Sequence, residues 1–172
     1  MLKRFIQKVI VGDFLLSKWL SKHQNESLRR VFKVITFVGS GYFWMPLYAI
    51  MFILGKTKLR TIIVSVVLAE LLGLLAIIVL RNLVKRKRPS SDITFLLPLP
   101  WQKNSFPSHH ALRVSMLATI FGTAYHSWLP FMIFFAFVVS ISRICLEMHY
   151  LSDVVAGSCI GFLCAKLALL NF

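Results

Sequence analysis

A polar segment between two apolar runs carries side chains that could do chemistry. Residues 142–153 read Ser-Arg-Ile-Cys-Leu-Glu-Met-His-Tyr-Leu-Ser-Asp, and polar groups at that depth are costly unless they serve a function. His149 and Asp153 are four residues apart, a spacing that on a helical turn places the carboxylate beside the imidazole. Such a carboxylate fixes the tautomer and stabilises the charged ring. The pattern therefore predicts a nucleophilic histidine at 149.

Two further segments carry groups suited to an anion. Residues 81–89 read Arg-Asn-Leu-Val-Lys-Arg-Lys-Arg-Pro, and residues 106–110 read Phe-Pro-Ser-His-His at the start of an apolar run. Arginine forks supply bidentate hydrogen bonds that a phosphate accepts. Ser108 stands at the N-cap position of the helix that follows, so the positive end of that helix is predicted to point at the site. His110, on the first turn, could protonate a departing oxygen.

The elements that must position these groups are apolar. The chain has 172 residues, 58% of them hydrophobic, and a mean hydropathy of +0.75, which excludes a soluble globule and predicts an all-α polytopic membrane bundle. Its five apolar runs are Val34 to Leu54, Thr61 to Leu80, Ala111 to Tyr125, Leu129 to Ile141 and Val154 to Leu170. If successive runs alternate in direction, all the polar segments named above emerge on one side of the membrane.

The chain is predicted to form one membrane-embedded domain over residues 1–172, with the transmembrane bundle over residues 34–170. Residues 1–24 show apolar positions at helical spacing, but Lys8 and Asp13 interrupt them. This pattern favours an amphipathic helix in the membrane interface, and a short sixth span remains the alternative. The paired glycines Gly157 and Gly161 suit close helix packing.

The charge balance indicates anionic partners. The formal net charge is +14, and in a membrane protein the first anionic partners are lipid headgroups and phosphorylated lipids. Nucleic acid is the weaker interpretation, because the basic residues lie at the ends of apolar runs and not on a soluble face. The sequence gives no signal for oligomeric state.

In these residues the chain resembles the type 2 phosphatidic acid phosphatase (PAP2) family of membrane lipid phosphatases. The family signature is Lys, six residues, Arg-Pro; then Pro-Ser-Gly-His; then Ser-Arg, five residues, His, three residues, Asp. The matching positions here are Arg81 with Arg88-Pro89, Pro107-Ser108-His109-His110, and Ser142-Arg143 with His149 and Asp153. The third block agrees at every defined position, and the order agrees throughout.

The resemblance implies roles for these residues. His149 would attack phosphorus to give a phosphohistidine, Asp153 would orient it, and His110 would donate a proton to the leaving group and then activate water. The phosphate-binding set would be Arg81, Arg88, Ser108, His109 and Arg143, with Arg113 and Lys85 as further candidate substrate contacts. The family uses no metal or other cofactor. A zinc site built from the histidines and Asp153 is a weaker alternative, because the neighbouring arginines would repel a cation.

Two positions depart from the signature. Arg81 replaces lysine, which keeps the charge but changes its reach. His109 replaces a glycine that lets the backbone approach phosphate without a side chain in the way. Either the imidazole of His109 points away and its amide still donates, or His109 itself contacts substrate.

The substrate implied by the resemblance is a phosphorylated membrane lipid, foremost undecaprenyl diphosphate or a lipid A phosphate, with phosphatidylglycerophosphate and phosphatidate behind them. A lipid phosphotransferase on the same site and a non-catalytic lipid-binding protein are alternatives. Resemblance to bacterial relatives places the site on the periplasmic side of the inner membrane, whereas the positive-inside rule favours the cytoplasm. Glu70, midway along the second run, is predicted to hydrogen-bond another helix, with substrate or proton handling as its alternative.

Overall fold

The computed structural model describes residues 2–22, 25–90 and 103–170, and every regular element within these ranges is a helix. Seven α-helices follow one another along the described residues, with a short 3-10 helix at His126–Trp128 before the sixth. Their bounds are α1 Leu2–Lys22, α2 Glu26–Val38, α3 Gly41–Leu54, α4 Thr57–Val84, α5 His109–Ala124, α6 Leu129–Cys145 and α7 Leu151–Leu169. The predicted all-helical fold is confirmed.

Helix α5 is the centre of the bundle. It packs against α4, α6 and α7, and most of its side chains are buried. Two glycines bring the backbone of α7 onto α5, because a methyl group at Gly157 would collide with the carbonyl oxygen of Ser108 and one at Gly161 with that of Leu112. The close approach fixes the first turn of α5 against the first turns of α7.

The first predicted run, Val34 to Leu54, is not one straight helix. It divides into α2 and α3 at Gly39 and Ser40, and the two helices are bent by 40°. Gly39 lies against Val139 of α6 so closely that a side chain would not fit. The predicted apolar run therefore corresponds to two helices, and the Gly-Ser-Gly sequence at 39–41 is the local cause of the break.

The long helices are suited to a bilayer. By length and composition α4, the stretch His126–Cys145 and α7 could each cross a membrane, and α2 with α3 could form a fourth, bent span. Their outward side chains are large and apolar, with Leu71 60% exposed and Phe134 65% exposed. Such a surface is covered by lipid in an integral membrane protein.

Helix α1 coincides with the predicted amphipathic segment. Its buried face carries polar side chains, Asp13 and Ser17, whereas Val11, Leu15 and Trp19 are more than half exposed. The helix contacts α6 and α7, so it joins the bundle through its polar face.

Candidate active site

Four helix ends meet at one end of the bundle. Arg81 in the last turn of α4 donates from Nη2 to the carbonyl oxygen of Pro107, at 3.1 Å, just before α5. The backbone N–H of Ser108 donates to the carbonyl oxygen of Asp153 at 3.0 Å, which ties the start of α5 to the start of α7. Arg143 lies in the last turn of α6. The structure thus brings together side chains from all three predicted motifs.

His149 lies in the turn between α6 and α7. Its backbone N–H donates to the carbonyl oxygen of Arg143 at 3.2 Å, and its side chain is 1% exposed. The ring is directed by two neighbours: Nδ1 is 3.7 Å from Oδ2 of Asp153, and Nε2 is 3.3 Å from Nη1 of Arg88. Within the described residues Nδ1 has no hydrogen-bond partner, since 3.7 Å exceeds hydrogen-bond length.

Asp153 also caps helix α7. Tyr150 is the N-cap, and its backbone N–H donates to Oδ2 of Asp153 at 3.0 Å. His149 therefore precedes the helix, and the predicted pairing of residues 149 and 153 arises from an N-terminal capping box instead of a regular helical turn. Oδ1 of Asp153 accepts from Nη1 of Arg86 at 2.9 Å, so both carboxylate oxygens have donors.

Three guanidinium groups surround the imidazole. Arg81 and Arg143 are each 3% exposed, and Arg88 donates to the carbonyl oxygen of Met148 at 2.8 Å. Nε of Arg143 has no hydrogen-bond partner among the described residues. Because buried charges are costly unless they are paired, this concentration of cations creates a site for an anion.

Burial and the same cations set the protonation of the nucleophile. Burial in the first place, and then the charges of Arg88, Arg143 and Arg81, hold the pKa of His149 well below its usual range. The imidazole is therefore neutral at pH 7, and its Nε2 carries the lone pair, which faces Nη1 of Arg88 at 3.3 Å. Burial lowers the pKa of Arg88 to about 10, which leaves this guanidinium charged at neutral pH.

The start of α5 supplies further donors. Ser108 is the N-cap as predicted, and its Oγ accepts from the N–H of Ala111 at 3.5 Å. The N–H groups of His109 and His110 belong to the first helical turn, where no intrahelical acceptor exists. The side chain of His110 is partly buried and within electrostatic reach of Arg143 and His149.

The imidazole of His109 has partners on another helix. Its Nε2 is 3.3 Å from Nη2 of Arg113 and 3.7 Å from Oε2 of Glu70 on α4. Of the two possibilities for His109, this geometry favours a ring directed away from the phosphate site, with the backbone amide left as the donor.

Glu70 forms the structural hydrogen bonds predicted for it. It accepts from Nε of Arg113 at 2.5 Å, from Nη2 of Arg113 at 3.1 Å and from the hydroxyl of Tyr48 at 3.3 Å. Arg113 is 4% exposed, so it is neither at the lipid surface nor open to a headgroup in this conformation. Its contact with a second phosphate stays a prediction.

The basic cluster after α4 divides into two kinds of residue. Lys85 is the exposed C-cap of α4 in a left-handed conformation, with φ 48°. Arg86 instead folds inward and bonds Asp153 and Asp13. Neither Arg86 nor Asp13 was predicted as a site residue, because the two positions are far apart in the chain and the cluster around Arg86 is typical of a juxtamembrane charge run.

Within the described ranges no group of three or more His, Cys, Asp or Glu side chains is arranged to hold a metal ion. His109, His110 and His149 each lie near an arginine: Arg113, Arg143 and Arg88, respectively.

Comparison with known proteins identifies the class that this fold and site define. The sequence model of the PAP2 superfamily matches residues 58–172, which include every predicted motif, and the chain belongs to that superfamily. It is 30% identical over 151 residues to an undecaprenyl-diphosphatase of Sulfolobus acidocaldarius, covering 85% of this chain and 71% of the relative. It is 33% identical over 133 residues to a lipid A 4'-phosphatase of Bacteroides thetaiotaomicron, covering 69% of this chain and 59% of the relative.

Two solved structures share the fold. Aquifex aeolicus LpxE superposes with a TM-score of 0.74 at 27% identity, covering 90% of this chain and 93% of that one. A PAP2-type phosphatidylglycerolphosphate phosphatase from Bacillus subtilis superposes with a TM-score of 0.75 at 25% identity, covering 95% and 86%. The family resemblance read from the motifs is confirmed, and the Sulfolobus, Bacteroides and Bacillus proteins are named as phosphatases of lipid phosphates.

Proposed function

We propose that the protein is a metal-independent phosphatase that removes phosphate from a membrane lipid through a phosphohistidine at His149. The observation that carries this proposal is a buried, neutral imidazole with Asp153 on one side and three guanidinium groups around it, those of Arg81 and Arg143 buried and that of Arg88 half-buried. A neutral imidazole is a competent nucleophile, and the cations bind the anion it attacks.

In the first step Nε2 of His149 attacks phosphorus while the bond from phosphorus to the lipid oxygen breaks. His110 gives its proton to the departing oxygen. As the imidazole becomes positively charged, Nδ1–H donates to Asp153, and the present 3.7 Å separation shortens to hydrogen-bond length. In the second step His110 takes a proton from water, the water oxygen bonds to phosphorus, and the nitrogen–phosphorus bond breaks.

The phosphoryl oxygens are held by Arg81, Arg88, Arg143, the Ser108 hydroxyl and the first N–H groups of α5. These groups neutralise charge on the equatorial oxygens of a loose transition state. Helix α5 adds its positive end to the same point. His109 contributes its backbone amide, while its ring stays with Glu70 and Arg113.

The protein forms a single membrane domain in which α2 with α3, α4, α5, α6 and α7 are five spans and α1 lies in the interface. Helix α5 has only 16 residues, but ten of them are buried by its neighbours, so it need not match the thickness of lipid. All four helix ends of the site lie at one membrane face, where lipid phosphates lie. We assign that face to the outer side of a bacterial inner membrane, as the resemblance implies.

The favoured substrates are undecaprenyl diphosphate and a lipid A phosphate. Both classes appear in the names of relatives that match most of this chain. Each presents a phosphate at headgroup depth on an apolar anchor, which fits a cationic site at the end of a lipid-facing bundle.

The test is phosphate release from phosphorylated lipids in detergent micelles containing a chelator. Wild type should release phosphate and be inhibited by vanadate, which mimics the transferring phosphoryl group. His149→Ala should lose activity by at least about a thousandfold, as nucleophile removal does elsewhere. His126→Ala, which changes a histidine at the opposite end of the bundle, should retain wild-type turnover. Full activity in His149→Ala, or a strict need for added divalent metal, would contradict the proposal.

A further inference from the structure

The polar face of α1 reaches the active-site end of the bundle. Asp13 is 6% exposed, and its Oδ1 accepts from the backbone N–H of Ser152 at 3.1 Å. Its Oδ2 accepts from the hydroxyl of Ser152 and, at 3.0 Å, from Nη2 of Arg86. One carboxylate of α1 thus holds both the first turn of α7 and the segment after α4.

Arg86 divides its two terminal nitrogens between two carboxylates. Nη1 donates to Oδ1 of Asp153 at 2.9 Å and to the hydroxyl of Ser152 at 2.6 Å, while Nη2 donates to Asp13. The guanidinium carbon lies 3.9 Å from the centre of the Tyr150 ring. The planar guanidinium of Arg86 is bound at both terminal nitrogens and stacked on an aromatic ring, so it has little freedom to rotate.

Arg86 holds one of the two oxygens that orient Asp153. The carboxylate is a rigid plane, and its orientation is set at Oδ1 by Arg86 and at Oδ2 by the backbone N–H of Tyr150. Oδ2 is the oxygen that accepts from Tyr150 and faces Nδ1 of His149. A rotation about the side-chain bond of Asp153 would lengthen a contact with His149 that is already 3.7 Å.

We infer that Arg86 and Asp13 are positioning residues for the reaction: Arg86 orients the Asp153 carboxylate toward His149, and Asp13 on α1 fixes Arg86. This inference rests on the proposed role of Asp153. Neither residue belongs to the motifs by which the family is recognised.

Helix α1 is then part of the active site as well as part of the membrane surface. Its opposite face exposes Val11 at 56%, Leu15 at 59% and Trp19 at 58%, a stripe suited to lipid. The same helix therefore contacts lipid with one face and holds the catalytic carboxylate, through Arg86, with the other.

The test measures kcat and KM of the full-length protein in detergent micelles for a lipid phosphate that wild type hydrolyses. Arg86→Met should lower kcat by about ten- to a hundredfold with KM within about twofold, because misorientation affects the transition state more than binding. Asp13→Asn should lower kcat by about tenfold. Arg86→Lys keeps one cation without the fork and should lie between wild type and Arg86→Met. Lys87→Met, which removes an exposed neighbouring cation, should match wild type.

The double variant Asp13→Asn, Arg86→Met separates positioning from general stabilisation. If Asp13 acts through Arg86, the double variant is no slower than Arg86→Met alone. If the two losses multiply, or if Arg86→Met raises KM at unchanged kcat, the inference is overturned. Should Arg86→Met fail to fold, as judged by thermal unfolding and size exclusion, the comparison of Asp13→Asn with Arg86→Lys decides the matter: unchanged kcat in both overturns it.

Asp153→Asn distinguishes failure of this inference from failure of the proposed function. Wild-type turnover in Asp153→Asn would show that the carboxylate has no role in the reaction. The positioning role of Arg86 and Asp13 would then be overturned as well. Asp153→Asn could instead lose much of its turnover while Arg86→Lys, Arg86→Met and Asp13→Asn keep wild-type kcat. That result would overturn the positioning role alone and leave the proposed function intact.

Discussion

Among the described residues, two buried charge clusters differ in how far their charges are satisfied. The Glu70 cluster consists of Glu70, Arg113, Tyr48 and His109. The His149 cluster consists of His149, Asp153, Arg81, Arg88 and Arg143. In the Glu70 cluster one carboxylate accepts two hydrogen bonds from one guanidinium, and the charges cancel. In the His149 cluster three guanidinium groups accompany one carboxylate, which is itself bound by Arg86.

The difference separates a structural charge pair from a binding site. The charges of Glu70 and Arg113 satisfy each other. They join α4 to α5 and need no ligand. In the His149 cluster the cations outnumber the carboxylate, and Nε of Arg143 has no hydrogen-bond partner among the described residues, so this cluster is suited to bind an anion.

The largest expected contrast comes from removing one arginine from each cluster. Arg143→Met should lower turnover by about 10²- to 10³-fold, because a donor to the transition state is lost. Its stability should stay equal to wild type or rise slightly, since an incompletely paired buried charge is removed. Arg113→Met should do the reverse: it leaves Glu70 buried and unpaired, which costs about 3–5 kcal/mol of stability, while the folded fraction keeps turnover within about tenfold of wild type.

Turnover and thermal unfolding of both variants in the same detergent provide the measurement. Equal loss of stability in the two variants, with no selective loss of turnover in Arg143→Met, would show that the two clusters have the same structural role.

A smaller effect is expected from the helix contact that aligns the His149 cluster. Gly157→Ala places a methyl group against the carbonyl oxygen of Ser108, so the start of α5 must move. Overpacking of this kind costs about 1–3 kcal/mol, and the displaced donors should slow turnover by about ten- to a hundredfold. Gly12→Ala is the matched control, because nothing lies within 4 Å of the added carbon. Equal turnover in the two variants would contradict the role of this contact.

The smallest expected effect is a shift in pH dependence. Burial and then Arg88 hold the pKa of His149 below its usual range, so removing that cation in Arg88→Met lets the pKa rise. More of the imidazole is then protonated at a given acidic pH, and the acidic limb of the kcat/KM profile should move to higher pH. Profiles of wild type and Arg88→Met between pH 4 and 8 would check this, in the range where histidine titrates. A limb that stays in place or moves to lower pH would contradict the electrostatic account.

Much of the fold could be predicted from composition and periodicity alone. The long apolar runs became α4, α5, α6 and α7 because burial and lipid contact both demand helices. The first apolar run divides at residues 39–41, where Gly39 packs closely on Val139. The glycines there were visible in the sequence, but the partner that requires them was not.

In the site, too, local features could be predicted from the sequence, whereas partners distant in the chain could not. The groups at Ser108, Arg143, His149 and Asp153 were named from their spacing, and the N-cap at Ser108 was predicted correctly because capping is a local interaction. The link between Asp13 and Arg86 joins residues whose separation carries no periodic signal. The partner of Glu70 on another helix was likewise invisible, although its need for one followed from burial alone.

Trapping the phosphorylated enzyme tests most directly whether His149 is the nucleophile. Wild type mixed with lipid phosphate labelled in the transferred phosphorus, then denatured within the first turnover, should carry label that is acid-labile and base-stable and that maps to His149. His110→Asn, in which water activation is lost, should accumulate more of this label, and His149→Gln should carry none. Phosphate release at the wild-type rate with no label on His149 at any time in the first turnover would contradict the account.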